Sequence, residues 1–294
     1  MLDSRGTVDL TAATVRRWQV LAGLSALVAV AVYVLAVLTE TGQRLENAAL
    51  RGADEAGSRD QSTADDALGE ITLYSLAVAV VAVAVIGLVR KRLDLAIAAV
   101  GVIVAGQLVT QALKRFVLPR PALVEVTGHY AENSLPSGHT TIAMTVLFAA
   151  LIVVPYRWRG VALFFVLSWA VGIGAYTVTA KWHRLSDTLA ADAVSLAVAC
   201  LASWWLARRG LVRRHDGPRR VPRVLIVAFA SLGGVFFLAL GTILLGAPLV
   251  TEGLDATVRD DAYVVYLAAS SFASFGSIAT ALVFLASWRR LEIP

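Results

Sequence analysis

Repetition constrains this chain most. Eight apolar runs of about membrane-spanning length follow one another, at about 19–39, 71–89, 95–113, 140–156, 161–180, 188–207, 224–247 and 262–287. About 20 helical residues cross the hydrocarbon core of a bilayer. Backbone amides there find no water, so only helices and closed barrels can span. Unbroken apolar runs without alternation select the helix. The expected fold class is therefore all-α, a polytopic membrane helix bundle. Composition agrees: 58% of residues are hydrophobic and 16% charged, with a mean hydropathy of +0.72. The first run follows a polar segment containing Asp3, Asp9, Arg16 and Arg17 and is of full length. It reads as a span and not as a cleaved signal peptide. The single cysteine, Cys200, lies inside a run. It excludes a disulfide within the chain and any cysteine-rich zinc site.

The net charge of +5 suggests nucleic acid at first sight, but the basic residues sort by topology. With the N-terminus inside, 17 of the 26 fall in inner segments: Arg5, Arg16 and Arg17; Arg90, Lys91 and Arg92; Arg157 and Arg159; Arg208, Arg209, Arg213, Arg214, Arg219, Arg220 and Arg223; Arg289 and Arg290. Trp18, Trp158, Trp204, Trp205 and Trp288 fall at the same interface, as an aromatic belt would. Both signals place the two termini in the cytoplasm of a multi-pass cell-membrane protein. The partner they imply is the bilayer, not nucleic acid. Oligomeric state is not legible.

Four parts follow from this topology: a cytoplasmic segment at 1–18, a six-span core at 19–207, a basic cytoplasmic loop at 208–223, and a further transmembrane hairpin with a tail at 224–294. Thr11-Ala-Ala-Thr14 reads as the start of a helix that runs into the first span. The first outer loop, 40–70, is acidic. Leu45, Ala48, Ala49 and Ala53 hint at an interfacial helix there, but a mobile polar loop is the simpler expectation. In the third span Gln107, Thr110, Gln111 and Lys114 share one helix face. Polar side chains in a span usually face the bundle interior. Asp192, in the sixth span, is an intramembrane carboxylate open to a functional or a packing role. The basic loop is explained by topology or by attraction to anionic lipid.

Chemistry concentrates on the outer side. In Asn133-Ser-Leu-Pro-Ser-Gly-His-Thr-Thr141 a polar loop meets an apolar helix. Ser137 suits a helix cap, and Gly138 leaves N–H groups open at a helix start, where anions bind readily. His139 places an imidazole beside them. An ordinary cap with a loop histidine explains this stretch equally well in isolation. On the same side lie Lys114 and Arg120, followed by Pro121, and then His183-Arg-Leu-Ser-Asp187. On a helix, Asp187 sits one turn from His183. It can hold one ring nitrogen and leave the other free to attack.

These clusters together resemble the type 2 phosphatidic acid phosphatase family, whose pattern reads Lys-x6-Arg-Pro, Pro-Ser-Gly-His and Ser-Arg-x5-His-x3-Asp. The second block is complete at Pro136, Ser137, Gly138 and His139. The first, Lys114-x5-Arg120-Pro121, is one residue short. The third keeps His183-x3-Asp187, but Tyr176 and Thr177 stand where the family has Ser-Arg. Lys181 or Arg184 is the nearest substitute for that charge, and on this reading Thr177→Arg leaves activity in place or raises it. The resemblance covers roughly 70–207 and implies a six-helix core, so the last two spans are additions.

The resemblance further implies roles. His183 attacks phosphorus and Asp187 orients it. His139 protonates the leaving alkoxide and then activates water. Lys114, Arg120, Ser137 and Gly138 hold the phosphoryl oxygens, with no metal or other cofactor. The implied substrate is a lipid phosphate: a phosphatidate, a phosphatidylglycerophosphate or a polyprenyl (di)phosphate. Three alternatives stay open: a phosphotransferase of the same mechanism, a catalytically weak lipid-phosphate binder or transporter, and an unrelated many-spanning carrier.

Overall fold

The computed structural model describes residues 12–125, 133–217 and 221–294. The first eleven residues, including Arg5, and Arg219 and Arg220 of the basic loop lie outside the described residues. Each of the eight apolar runs becomes a helix. They are α1 (Ala12–Val32, continued by a π-helical turn to Val37), α4 (Leu73–Val89), α5 (Leu93–Ala112, continued by a π-helical turn to Val117), α6 (Gly138–Val153), α7 (Arg159–Thr179), α8 (Leu185–Arg208), α9 (Val221–Thr251) and α11 (Ala262–Ser287). Three polar helices join them on one side: α2 (Glu40–Gly52), α3 (Ser58–Gly69) and α10 (Gly253–Asp260). A two-stranded ribbon pairs β1 (Arg213–Arg214) with β2 (Leu291–Glu292).

Six of these helices are long and apolar enough to cross a membrane, or seven if the bent pair α3–α4 counts as one span. The count expected from composition was eight. The helix missing from both counts is α6, whose 16 residues reach only about 24 Å at 1.5 Å per residue. Its ends are fixed by Pro136 before it and Pro155 after it, neither of which can continue a helix. The lipid-facing surface is apolar: α9 alone exposes Leu225, Phe229, Leu232, Val235 and Phe236. The helices together make a multi-pass membrane protein by length and composition.

The core lies between α5, α6, α7 and α8, closed by α1 and α11. The last span is built into this bundle. Asp192 of α8 accepts from Ser277 Oγ of α11 at both oxygens, each at 3.1 Å, so this carboxylate joins two helices. Thr179 and Tyr266 hydroxyls meet at 2.9 Å, and Phe148 lies against Phe284 at 4.7 Å between ring centroids.

The 40–70 connection, expected from composition to be a polar loop, is instead helical and packed. Thr39 caps α2, accepting from the Gly42 N–H at 3.0 Å, and the helix turns an alanine-lined face inward. Its end presses on α11 so closely that a Cβ at Gly52 would lie 1.9 Å from the Ala262 carbonyl oxygen. Only glycine allows that approach.

At the other end the chain is tied down by its cations. Arg90 Nη1 donates to the Val153 carbonyl at 2.7 Å, and Arg159 Nη1 to that of Leu291 at 2.7 Å. His215 stacks on Tyr156 at 3.8 Å and meets Glu292 at 2.8 Å. Trp18 and Trp288 belong to this packing, not to an interfacial belt. They are buried against each other, and their Nε1–H groups donate to Ser287 and Ser203, each at 3.0 Å. Packing indoles of two distant segments against buried hydroxyls satisfies their N–H groups better than a lipid face would.

Candidate active site

Four helix ends converge on the side where α5 and α7 finish and α6 and α8 begin. The start of α6 follows from its sequence. Ser137 Oγ accepts from the Thr140 N–H at 3.3 Å, which closes the first turn. The polar face of α5 packs there: Thr110 and Thr141 hydroxyls meet at 3.0 Å, and Gln107 Nε2 donates to the Gly138 carbonyl at 3.4 Å. A Cβ at Gly106 would lie 2.5 Å from the Thr145 methyl, so the α5 backbone packs directly on the Thr145 side chain of α6.

Asp187, in the first turn of α8, is the most connected group. Its Oδ2 accepts from the Arg184 N–H at 2.9 Å, from Ser134 Oγ and from His183 Nδ1 at 3.2 Å. A carboxylate on Nδ1 places the ring proton there and leaves Nε2 with its lone pair. The backbone fixes the same corner, with the His183 N–H donating to the Thr177 carbonyl at 3.0 Å and the Ser137 N–H to that of Asp187 at 2.9 Å. The His139 ring lies 6.0 Å from that of His183, centroid to centroid, and 5.2 Å from Trp182. His139 Nδ1 and Thr140 Oγ1 are buried without a hydrogen-bond partner among the described residues.

The cations divide. Lys114, in the π-helical turn, lies within electrostatic reach of His139 and Asp187. Arg120 Nη2 donates to Glu46 at 3.2 Å, while its Nη1 is buried with no hydrogen-bond partner among the described residues. Arg184 Nη1 donates to Ser134 Oγ at 3.4 Å, and its Nε stands 4.0 Å from Glu46. Lys181 turns to Asp54 in a partly exposed pair. Thr177 gives its hydroxyl to the Gly174 carbonyl at 2.8 Å and meets Thr188 at 3.2 Å. The structure therefore brings Lys114, Arg120, Arg184, His139, His183 and Asp187 to one corner with Ser137 and Gly138. Lys181 faces away to α2's end, and Thr177 is a contact between α7 and α8.

Glu46 was not legible as a site residue. It sits on α2, buried, with its Oε1 accepting from the Ser186 N–H at 3.1 Å. Burial and the Asp187 carboxylate push it above its ordinary range, against the pull of Ser186, Arg120 and Arg184. Its neighbour Gln43 holds the Arg120 segment: Nε2 donates to the Pro121 carbonyl at 2.7 Å, and Oε1 accepts from the Leu123 N–H at 3.3 Å. Asn133 does the same from the other side, donating to the carbonyls of Lys114 at 3.0 Å and Leu118 at 2.6 Å. The only sequence signal for Glu46 was the spacing of Leu45, Ala48 and Ala49 around it.

Among the described residues no three His, Cys, Asp or Glu side chains are grouped to hold a metal ion. What the corner offers is an oriented imidazole, a second imidazole and a set of cations around one small volume. Such a set suits a group whose negative charge is spread over several oxygens.

Residues 95–211 match the PAP2 superfamily. The matched stretch holds every residue of this corner except those of α2, and it ends before α9. Neither a curated protein nor a solved structure matches the chain.

Proposed function

The chain carries a PAP2-superfamily segment of phosphatase type at residues 95–211, and from it we propose an integral membrane lipid-phosphate phosphatase that works through a phosphohistidine. The observation that supports this most is the placement of the two imidazoles, 6.0 Å apart, with Asp187 on His183 Nδ1.

In the proposed reaction His183 Nε2 attacks phosphorus, and the bond from phosphorus to the lipid oxygen breaks. His139, as imidazolium, gives its proton to the leaving alkoxide. The anionic phosphoryl group beside it favours that charged form. Neutral His139 then takes a proton from water, whose oxygen attacks phosphorus and breaks the P–N bond. Inorganic phosphate leaves and His183 is regenerated. Asp187 holds the ring throughout and stabilises its developing positive charge. Lys114, Arg120 and Arg184, with the N–H groups at Ser137 and Gly138, receive the phosphoryl oxygens. Glu46 positions the two arginines, its single negative charge leaving them a net positive one. Positioning and charge stabilisation suffice for such a transfer.

The substrate class is a phosphomonoester or diphosphate of a lipid, of phosphatidate, phosphatidylglycerophosphate or polyprenyl type. The site lies at the end away from the arginine-rich segments, which on the positive-inside rule is the extracytoplasmic side. Thr177, standing where the family has an arginine, favours a second reading: a binder of lipid phosphates with weak turnover. Phosphate release from a panel of lipid phosphates by the purified protein tests both. Turnover lost in His183→Ala supports the phosphatase. Tight lipid-phosphate binding without release on any substrate supports the binder.

A further inference from the structure

At the end of the bundle opposite His183, α9, α11 and Tyr156 line an open cavity of about 450 Å³, within the usual range of ligand pockets. Its walls are apolar along the helices, with Val227 and Leu282 among them. Its mouth carries Arg223, Arg289 and Arg290. Arg223 leans on the Tyr156 ring at 4.5 Å, and its Nη1 is buried with no hydrogen-bond partner among the described residues. Among the described residues no carboxylate forms an ion pair with any of the three arginines, although a neighbouring cation of the same end does find one: Arg209 has Asp94.

We propose that this cavity binds one anionic phospholipid from the leaflet opposite the catalytic corner. Its phosphate is held between the three guanidiniums, and one acyl chain lies between α9 and α11. The chemistry is complementary at both ends. Guanidiniums grip phosphate oxygens in pairs, and basic pockets between spans suit lipid head groups. Positive-inside bias alone accounts for arginines at this end, but not for three of them gathered on one apolar cavity with an unused buried donor. The site uses none of the residues assigned to hydrolysis, and α9 and α11 lie outside the PAP2-superfamily segment.

The test is the thermal midpoint of the full-length protein in neutral detergent. The additions are dioleoyl phosphatidylglycerol, dioleoyl phosphatidylcholine or inorganic phosphate, at equal concentration. A rise with phosphatidylglycerol only is expected. It should disappear in R223Q/R289Q/R290Q and persist in R213Q/R214Q, which removes charge at the same end without touching the cavity. Should the triple variant fold poorly, S231W fills the cavity at unchanged charge and should abolish the rise as well. Equal rises with phosphatidylcholine or with phosphate alone would overturn the proposal. So would a rise that survives S231W, or one lost equally in R213Q/R214Q.

Discussion

Arg120 and Glu46, 74 positions apart in sequence, meet at 3.2 Å with both side chains buried. Helix α2 thus supports a loop of the PAP2-superfamily segment. Removing the carboxylate leaves buried guanidiniums without their partner. Breaking a buried pair in this way costs about 3–5 kcal/mol. Glu46→Ala should therefore lower the unfolding midpoint clearly and raise the KM for lipid phosphate more than it lowers kcat. Thermal denaturation with steady-state kinetics on the same preparation checks both.

Glu46 also makes a pH prediction. Burial and Asp187 raise it above its ordinary value of 4.5, so the folded chain holds this proton more tightly than the unfolded one. Its contribution to stability is full below 4.5 and is lost as pH rises through the raised folded value. Glu46→Gln removes that dependence. The midpoint of Glu46→Gln minus that of the wild type should grow between pH 4 and 8 and then level off. A flat or falling difference would contradict the assignment.

Arg184 and Lys181 were equal candidates for the missing cation, and their surroundings now separate them. Arg184 is buried beside Ser134 and Glu46, whereas Lys181 spends its charge on Asp54 near the surface. A hydrogen bond to a charged group contributes about 1.5–3 kcal/mol, so Arg184→Ala should reduce kcat/KM about 10- to 150-fold. Lys181→Ala, which breaks an exposed pair of small worth, should stay within about threefold of the wild type. Phosphate-release kinetics on both variants decide it.

Thr177→Arg was expected to be harmless or helpful. The position instead lies fully buried between α7 and α8, with its hydroxyl used on both sides. A longer, charged side chain there overpacks the contact and brings an unpaired charge inside. The variant should lose stability by at least about 1–3 kcal/mol and gain no activity. Thr177→Ser, which keeps the hydroxyl, should stay near the wild type.

The spans were legible because apolar length is a local signal, and the blocks at Lys114, Pro136–His139 and His183–Asp187 because their spacing is. Glu46, Gln43 and Asn133 were not, because their roles depend on contacts 78 to 140 residues away or on carbonyls of a loop. Trp288 read as a belt residue for the same reason. A residue that closes a distant hydrogen bond carries no mark of it in its own neighbourhood. The reading of 40–70 as a polar connection failed on α2, whose burial comes from α11 and not from its own hydrophobicity.

The phosphorus–nitrogen bond is the measurement closest to the central claim. Rapid acid-free quench of the purified protein with a ³²P-labelled lipid phosphate should show label on the chain at His183, acid-labile and alkali-stable, in the wild type. His139→Ala should hold that label longer, because water activation is lost, and turn over about 10²- to 10⁴-fold more slowly. His183→Ala should take up none. Turnover in the wild type without any labelled histidine, or label that persists in His183→Ala, would contradict the account.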